Sequence, residues 1–436
     1  MSVEGVVGLQ RGDEGKGRFV DMMMEDFDIG VRFNGGNNAG HTVVSANGDE
    51  YKTHSLPSSI LHDHTMSVIG NGTVIDSSRL RVEMETLRDQ GIDIGTHNLL
   101  ISGGAHLTLP SYILQDVKRE KGARAQGSTK TGISSAYSAK ASREGVRTEI
   151  INNDPDKLLE IVIDKLRAER RWLGRVAGKG SKQDRETAQQ FVDDSILLGP
   201  FVTDTALYLN RALRKEVPAR ILAEAAQAFL LDLDHGMYPF TTSSSTTAGG
   251  ISSGLGIPAS FITHITGVAK AVPSHVGGGP FVTEITDPDK LERLHGDMTK
   301  VDAEKGTTTN RIRRLGHLDL AQIRRSQMIN GQASEQVMAL TKLDWVPRYG
   351  EEVQICIGYF RKGKHLDIAP DAAYKLEQVE PEYVTLPTWD EDISEIRRFG
   401  DLPNNAQKYI EFIENNTEVP ITMIGVGPQQ DQVIVR

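Results

Sequence analysis

An apolar run that breaks into glycines and then resumes as a helix constrains this chain more than any other feature. Gly5-Val6-Val7-Gly8-Leu9 reads as a buried strand and Gly12-Asp13-Glu14-Gly15-Lys16-Gly17 as a tight loop, with a helix after it. Strand, glycine loop and helix in that order make an anion site, because amides at a helix N-terminus point outward and carry partial positive charge. Lys16 adds a full charge. The loop is not the common Walker form: two residues rather than four separate Gly12 from Gly15, and Gly17 stands where a hydroxyl would ligate magnesium. A metal held here needs another hard oxygen, and Asp13 is the nearest. After the helix a second glycine-rich turn, Asn34-Gly35-Gly36-Asn37-Asn38-Ala39-Gly40-His41-Thr42, returns toward the first.

The alternation continues. Val31-Arg32-Phe33, Ser67-Val68-Ile69-Gly70 and Leu99-Leu100-Ile101 read as strands around an amphipathic stretch at 77–91, which suits a parallel sheet with crossover helices. Residues 111–147, rich in Gly, Ser, Lys and Arg, read as a mobile substrate loop. From about 153 to 216 the pattern is helical, with Asp154-Pro155 as cap and first turn and Leu158, Leu159, Ile161, Val162 and Leu166 at helical spacing. Residues 287–305 read as a charged surface stretch. No run approaches a membrane span and the N-terminal residues lack a secretory pattern, so the expectation is a cytoplasmic protein with no membrane partner. A net charge of −10 argues against a nucleic-acid partner. The single cysteine, Cys356, sits in Val353-Gln354-Ile355-Cys356-Ile357 and reads as a buried strand residue.

Three further features carry chemistry. Thr341-Lys342-Leu343-Asp344 follows a strand; its aspartate can accept from N1–H and the 2-amino group of guanine while the lysine stem covers the ring, so GTP fits better than ATP. Gly306-Thr307-Thr308-Thr309-Asn310-Arg311-Ile312-Arg313-Arg314 joins hydroxyls to arginines in a second anion cradle. Asp13 and His41 form a carboxylate and imidazole pair suited to dividing base and acid duties at a transferring phosphoryl group.

Taken in order, these blocks with Gln227, Leu231-Asp232-Leu233-Asp234-His235-Gly236, Thr246-Thr247-Ala248-Gly249-Gly250 and Gly279-Pro280-Phe281 resemble the adenylosuccinate synthetase family over nearly the whole chain. The resemblance implies one α/β domain over 1–436, P-loop NTPase-like, around a mostly parallel sheet. It implies a homodimer, and GTP-dependent ligation of L-aspartate to the 6-position of a purine monophosphate through a 6-phosphoryl intermediate. By it Asp13, Lys16, His41 and Gln227 are catalytic, and Asp13 with the Gly40 carbonyl holds Mg2+. GTP falls to Gly12, Glu14, Gly15, Lys16, Gly17, Gly40, His41, Thr42, Arg313, Lys342, Asp344, Gly425 and Gly427. The monophosphate falls to Asn38, Thr129, Gln227 and Thr242, with Arg143 crossing from the other subunit, and aspartate to Thr308, Thr309 and Arg311.

The sequence also departs from the family pattern. Arg11 and His317 stand where tryptophans are usual, Ser128 to Ser135 replace a more glycine-rich loop, Ala225, Ala228 and Phe229 surround Gln227, and Asn310 and Ile312 alter the arginine loop. Most of these are expected to border the monophosphate pocket. Two alternatives to IMP ligation follow: a relative that uses dGMP to make 2-amino-deoxyadenylosuccinate, and a GTP-binding switch or inactive scaffold.

Overall fold

A computed structural model describes residues 3–436 apart from 46–47, 123–126, 173–181, 300–302, 305 and 307–310. Ten strands form its main sheet: β1 (Val3–Gly8), β2 (Ile29–Arg32), β3 (Met66–Ile69), β4 (Leu99–Ser102), β5 (Val202–Thr203), β6 (Ile221–Glu224), β7 (Ile262–Lys270), β8 (Gln336–Thr341), β9 (Ile421–Gly425) and β10 (Val433–Val435). Their spatial order is β10-β9-β8-β7-β1-β6-β2-β3-β4-β5. Every neighbouring pair runs parallel except the antiparallel edge pair β9 and β10. β1 lies in the interior, Val6 in register with Glu224 on one side and Thr266 on the other. A parallel strand covered on both faces must be apolar throughout, which is why the Gly5 to Leu9 run does not alternate.

Parallel strands all end at the same edge, and the connections leaving that edge gather there. The glycine loop leaves β1, the turn to His41 leaves β2, Gln227 follows β6, the segment to Gly279 follows β7, Lys342 follows β8 and Gly427 follows β9. Sequence blocks more than 300 residues apart thus meet at one edge.

The helices follow their local signals. The glycine loop opens α1 (Lys16–Met23), with Gly15 as its cap at φ +83°. The expected amphipathic helix is α2 (Ser77–Asp89), capped by Asp76, with Leu80, Met84 and Leu87 buried. Asp154 caps the helix Pro155–Trp172 by accepting from the Lys157 amide at 2.9 Å, and Leu158, Val162 and Leu166 face the core. The helical region at 153–216 also contributes β5 to the sheet edge. Residues 111–147 differ from the loop expected of them: α3 (Pro110–Arg119) and α4 (Ile133–Ser142) occupy most of the stretch, leaving 127–132 as a described loop between them. Its apolar stripe is made of small residues, with Ile133, Ala136 and Ala139 buried at three-residue spacing beneath a polar majority. Cys356 is fully buried in the strand Glu352–Arg361 of a separate four-stranded sheet. Among the described residues no helix is long and apolar enough to cross a membrane.

Candidate active site

The strand edge encloses a cavity of about 420 Å³, and the glycine loop, the turn at 38–42, the loop at 128–129, Gln227, Thr242, Arg313, Lys342, Asp344 and Gly427 all line it. The glycine loop is held by its own side chains. Glu14 is 1% exposed; it accepts from the Gly12 amide at 2.7 Å and pairs with Lys16 at 2.9 Å, while Thr341 donates to the Glu14 carbonyl at 2.8 Å. The Glu14 carboxylate is therefore committed to the loop, with the Gly12 amide and the Lys16 ammonium as its partners. Asp13, at φ +59°, presents its carboxylate to the cavity rim and accepts from Arg313 at 2.8 Å.

His41 sits at the start of a strand packed on α1, so close that a Cβ built on Gly17 would lie 2.8 Å from the His41 Cβ. Its Nδ1 bonds Glu224 at the end of β6. Glu224 also accepts from the Ser58 amide and hydroxyl at 2.8 and 2.9 Å and has Arg32 at 3.6 Å. Burial opposes ionisation of Glu224, but Arg32 and His41 prevail and bring its carboxyl down to about 2. Burial outweighs the pull of Glu224 on the imidazole and lowers it to about 4. The resting pair is thus carboxylate and neutral imidazole, with Nε2 as the nitrogen left to act.

Gln227, at φ +58°, has both amide atoms buried without a hydrogen bond to the protein. Because it lines the cavity, this amide is able both to donate to and to accept from a bound molecule. Asn38 reaches Thr242 at 3.5 Å and Thr129 reaches Thr131 at 2.7 Å, and all three monophosphate candidates Asn38, Thr129 and Thr242 line the cavity wall. Asp116 of α3 holds that wall: both its oxygens accept from Ser128 at 2.9 Å and one accepts from the Gly132 amide at 3.0 Å.

Other expected residues fall elsewhere. Gly425 ends β9 and is not part of the lining, although Gly427 is. Arg311 donates to the Gly127 carbonyl at 3.1 Å behind the wall. Arg143 caps α4 at φ +65°, exposed and away from this cavity. Thr308, Thr309 and Asn310 lie outside the described residues. The departures border the pocket less than expected. Arg11, Ser128, Thr129, Ile133 and Ser134 line it, whereas Ala225, Ala228 and Phe229 are fully buried beside it, His317 stacks on Tyr349 and Ile312 is exposed. The Arg11 guanidinium turns inward, donating to the Pro280 carbonyl at 2.9 Å over the Phe281 ring.

Sequence reading missed Glu224, Arg32 and Glu304. Glu224 stands alone among apolar neighbours, and Glu304 belongs to the stretch expected at the surface yet has no exposure. A lone charge inside a strand that must be buried on both faces was the available signal for Glu224 and Arg32. Nothing local marks Glu304.

Comparison with known proteins follows this geometry closely. The family model described as adenylosuccinate synthetase matches residues 5–434. The chain is 40% identical over 436 residues to the adenylosuccinate synthetase of Kluyveromyces lactis, covering 98% of each chain. It is 38% identical over 438 residues to that of Acetivibrio thermocellus, covering 100% of each. A solved structure of fully ligated adenylosuccinate synthetase from Plasmodium falciparum superposes with a TM-score of 0.90 at 35% identity, covering 100% of both chains. The cyanophage S-2L succinoaminodeoxyadenylate synthetase, in a structure with dGMP and dATP, gives 0.60 at 18% identity over 100% of this chain and 95% of that one, a likeness of fold.

Proposed function

This chain belongs to the adenylosuccinate synthetase family, and from that premise we propose how its own residues divide the work. The protein is a GTP-dependent ligase that forms a carbon–nitrogen bond between L-aspartate and the 6-position of IMP. The observation that carries the assignment of roles is the unbonded amide of Gln227 in one cavity with Asp13, His41 and the glycine loop.

Gln227 holds the purine O6 and Asp13 takes the N1 proton, so that the oxygen gains the electron density to attack the γ-phosphorus. The bond to the GDP oxygen breaks as the O6–phosphorus bond forms. His41 stabilises the bridging oxygen from Nε2, its Nδ1 proton held by Glu224. The aspartate amine then attacks C6, phosphate leaves with the C–O electron pair, and the amine loses a proton. Phosphorylation is what makes that oxygen a leaving group. The backbone at Gly15 to Gly17 and Lys16 cradle the nucleotide phosphates. Asn38, Thr129 and Thr242 hold the monophosphate, and Thr308, Thr309 and Arg311 the aspartate carboxylates.

Mg2+ suits the donor set: Asp13 offers a half-buried carboxylate oxygen beyond the one bonded to Arg313, and Gly40 lies on the same cavity wall. Two protein oxygens are what this ion accepts when phosphates and waters supply the rest, and when bound it neutralises phosphate charge. We place the enzyme in the cytoplasm, without membrane or nucleic-acid partners.

Phosphate release with GTP, aspartate and Mg2+ tests the assignment. IMP should support release well above dGMP; equal or better release with dGMP would overturn the acceptor. The exposed Arg143 supports a homodimer in which it crosses to the neighbouring monophosphate. Arg143→Leu and Asp13→Ala should each be inactive alone, yet mixed one to one after reversible dissociation they should recover about a quarter of wild-type activity, since each heterodimer holds one native site. No recovery by two folded variants that exchange subunits would remove the crossing arginine.

A further inference from the structure

Glu304 is fully buried, yet three cationic side chains from separate parts of the chain converge on its carboxylate. Lys270, at the end of β7, lies 2.7 Å away; Arg313 lies at 3.1 Å; and Lys342 of the guanine motif at 3.4 Å. Arg313 at the same time pairs with Asp13 at 2.8 Å, and the Lys342 ammonium stands 3.3 Å from the centre of the Trp345 ring. The backbone adds a second link. The Arg313 amide donates to the Glu304 carbonyl at 3.0 Å and the Gly306 amide to the Arg311 carbonyl at 2.8 Å, closing the base of the segment that carries Arg311.

Burial alone would keep this carboxyl protonated, but the three cations hold it ionised, well below the usual carboxylate range. Three cations against Glu304 and Asp13 leave the cluster with one positive charge, facing a cavity suited to phosphates. Without Glu304 the cations would repel one another in a low-dielectric setting, and neither Lys342 nor Arg313 would keep its place.

We propose that Glu304 is a positioning residue that fastens the guanine-binding lysine and the stretch from Arg311 to Arg313 to each other, so that the GTP and aspartate sites are set by one buried carboxylate. It touches neither substrate. The proposal rests on the assignment of Lys342 and Asp344 to guanine and of Arg311 to aspartate.

The experiment is Glu304→Gln, with GTP affinity by calorimetry without turnover and the three KM values by phosphate release. The expected result is a weakening of GTP affinity and a rise in KM for both GTP and aspartate by about ten- to a hundredfold, the scale of a lost charge-assisted bond, with KM for the purine monophosphate within about twofold. A parallel rise of all three with a lowered Tm would mean a merely structural role and overturn the proposal. Should Glu304→Gln not fold, Glu304→Asp keeps the charge but withdraws it; it should raise the same two KM values less, and no rise overturns the proposal. Asp344→Asn is measured beside it. Weakened GTP binding there with none in Glu304→Gln overturns the Glu304 proposal alone; unchanged binding in both overturns it together with the guanine assignment.

Discussion

Asp13→Ala and His41→Asn should each lower turnover by about 10²-fold or more while leaving the chain folded, the scale expected when an acid or base is lost. Asp13 sits in a left-handed loop conformation on the cavity rim, its carboxylate paired with Arg313 rather than buried in the core. His41 is more constrained. Its Nδ1 is tied to Glu224, and burial lowers the imidazole to about 4 despite that partner. Phosphate release at saturating substrates measures the effect, with thermal unfolding as the check on folding. Undiminished turnover in either folded variant removes that residue from the chemistry.

The same histidine has a stability signature. An imidazole in the unfolded chain titrates near about 6.5, and in the folded protein at about 4. Between those values the unfolded state binds the extra proton, so the contribution is complete above the window and is lost as pH falls through it. His41→Asn should flatten that part of the stability profile.

Asp344→Asn should change which nucleotide the enzyme uses. The aspartate lines the cavity just after Lys342, whose φ of +60° turns the chain out of β8. Arg18 of α1 braces the opposite side, donating to the carbonyls of Gly427 and Gln432, the latter at 2.6 Å. A carboxylate there accepts two hydrogens from guanine; an amide accepts one and donates one, which matches xanthine. The variant should lose about 10²-fold or more in kcat/KM with GTP, since a polar site rejects a base that leaves its groups unpaired, and it should gain xanthosine triphosphate as a substrate. Equal preference for GTP in variant and parent would contradict the guanine assignment.

Much of this was legible along the chain because the signals are local. A glycine loop after an apolar run can form only a strand, a turn and a helix, and a helix start binds anions wherever it occurs. Asp154-Pro155 and the leucines after it specify their helix in the same way. Misreadings came where composition stood in for packing. The 111–147 stretch, rich in Gly, Ser, Lys and Arg, reads as a loop, but a helix needs only a narrow stripe, which Ile133, Ala136 and Ala139 provide. Residues 287–305 looked like solvated surface because charges usually are, whereas Glu304 is buried by cations that lie 34, 9 and 38 residues away in sequence.

By itself the sequence determined the α/β alternation, the strand, glycine turn and helix from Val3 to Met23, and the helix that Asp154 caps. Each depends on the conformation and chemistry of a few neighbouring residues. Only the tertiary structure decided that Glu224 restrains His41, that the Gln227 amide is buried without a protein partner, that Arg11 turns inward and that Glu304 gathers three cations. Those outcomes depend on where parallel strands end in space and on the burial of charge, which no short stretch of sequence carries.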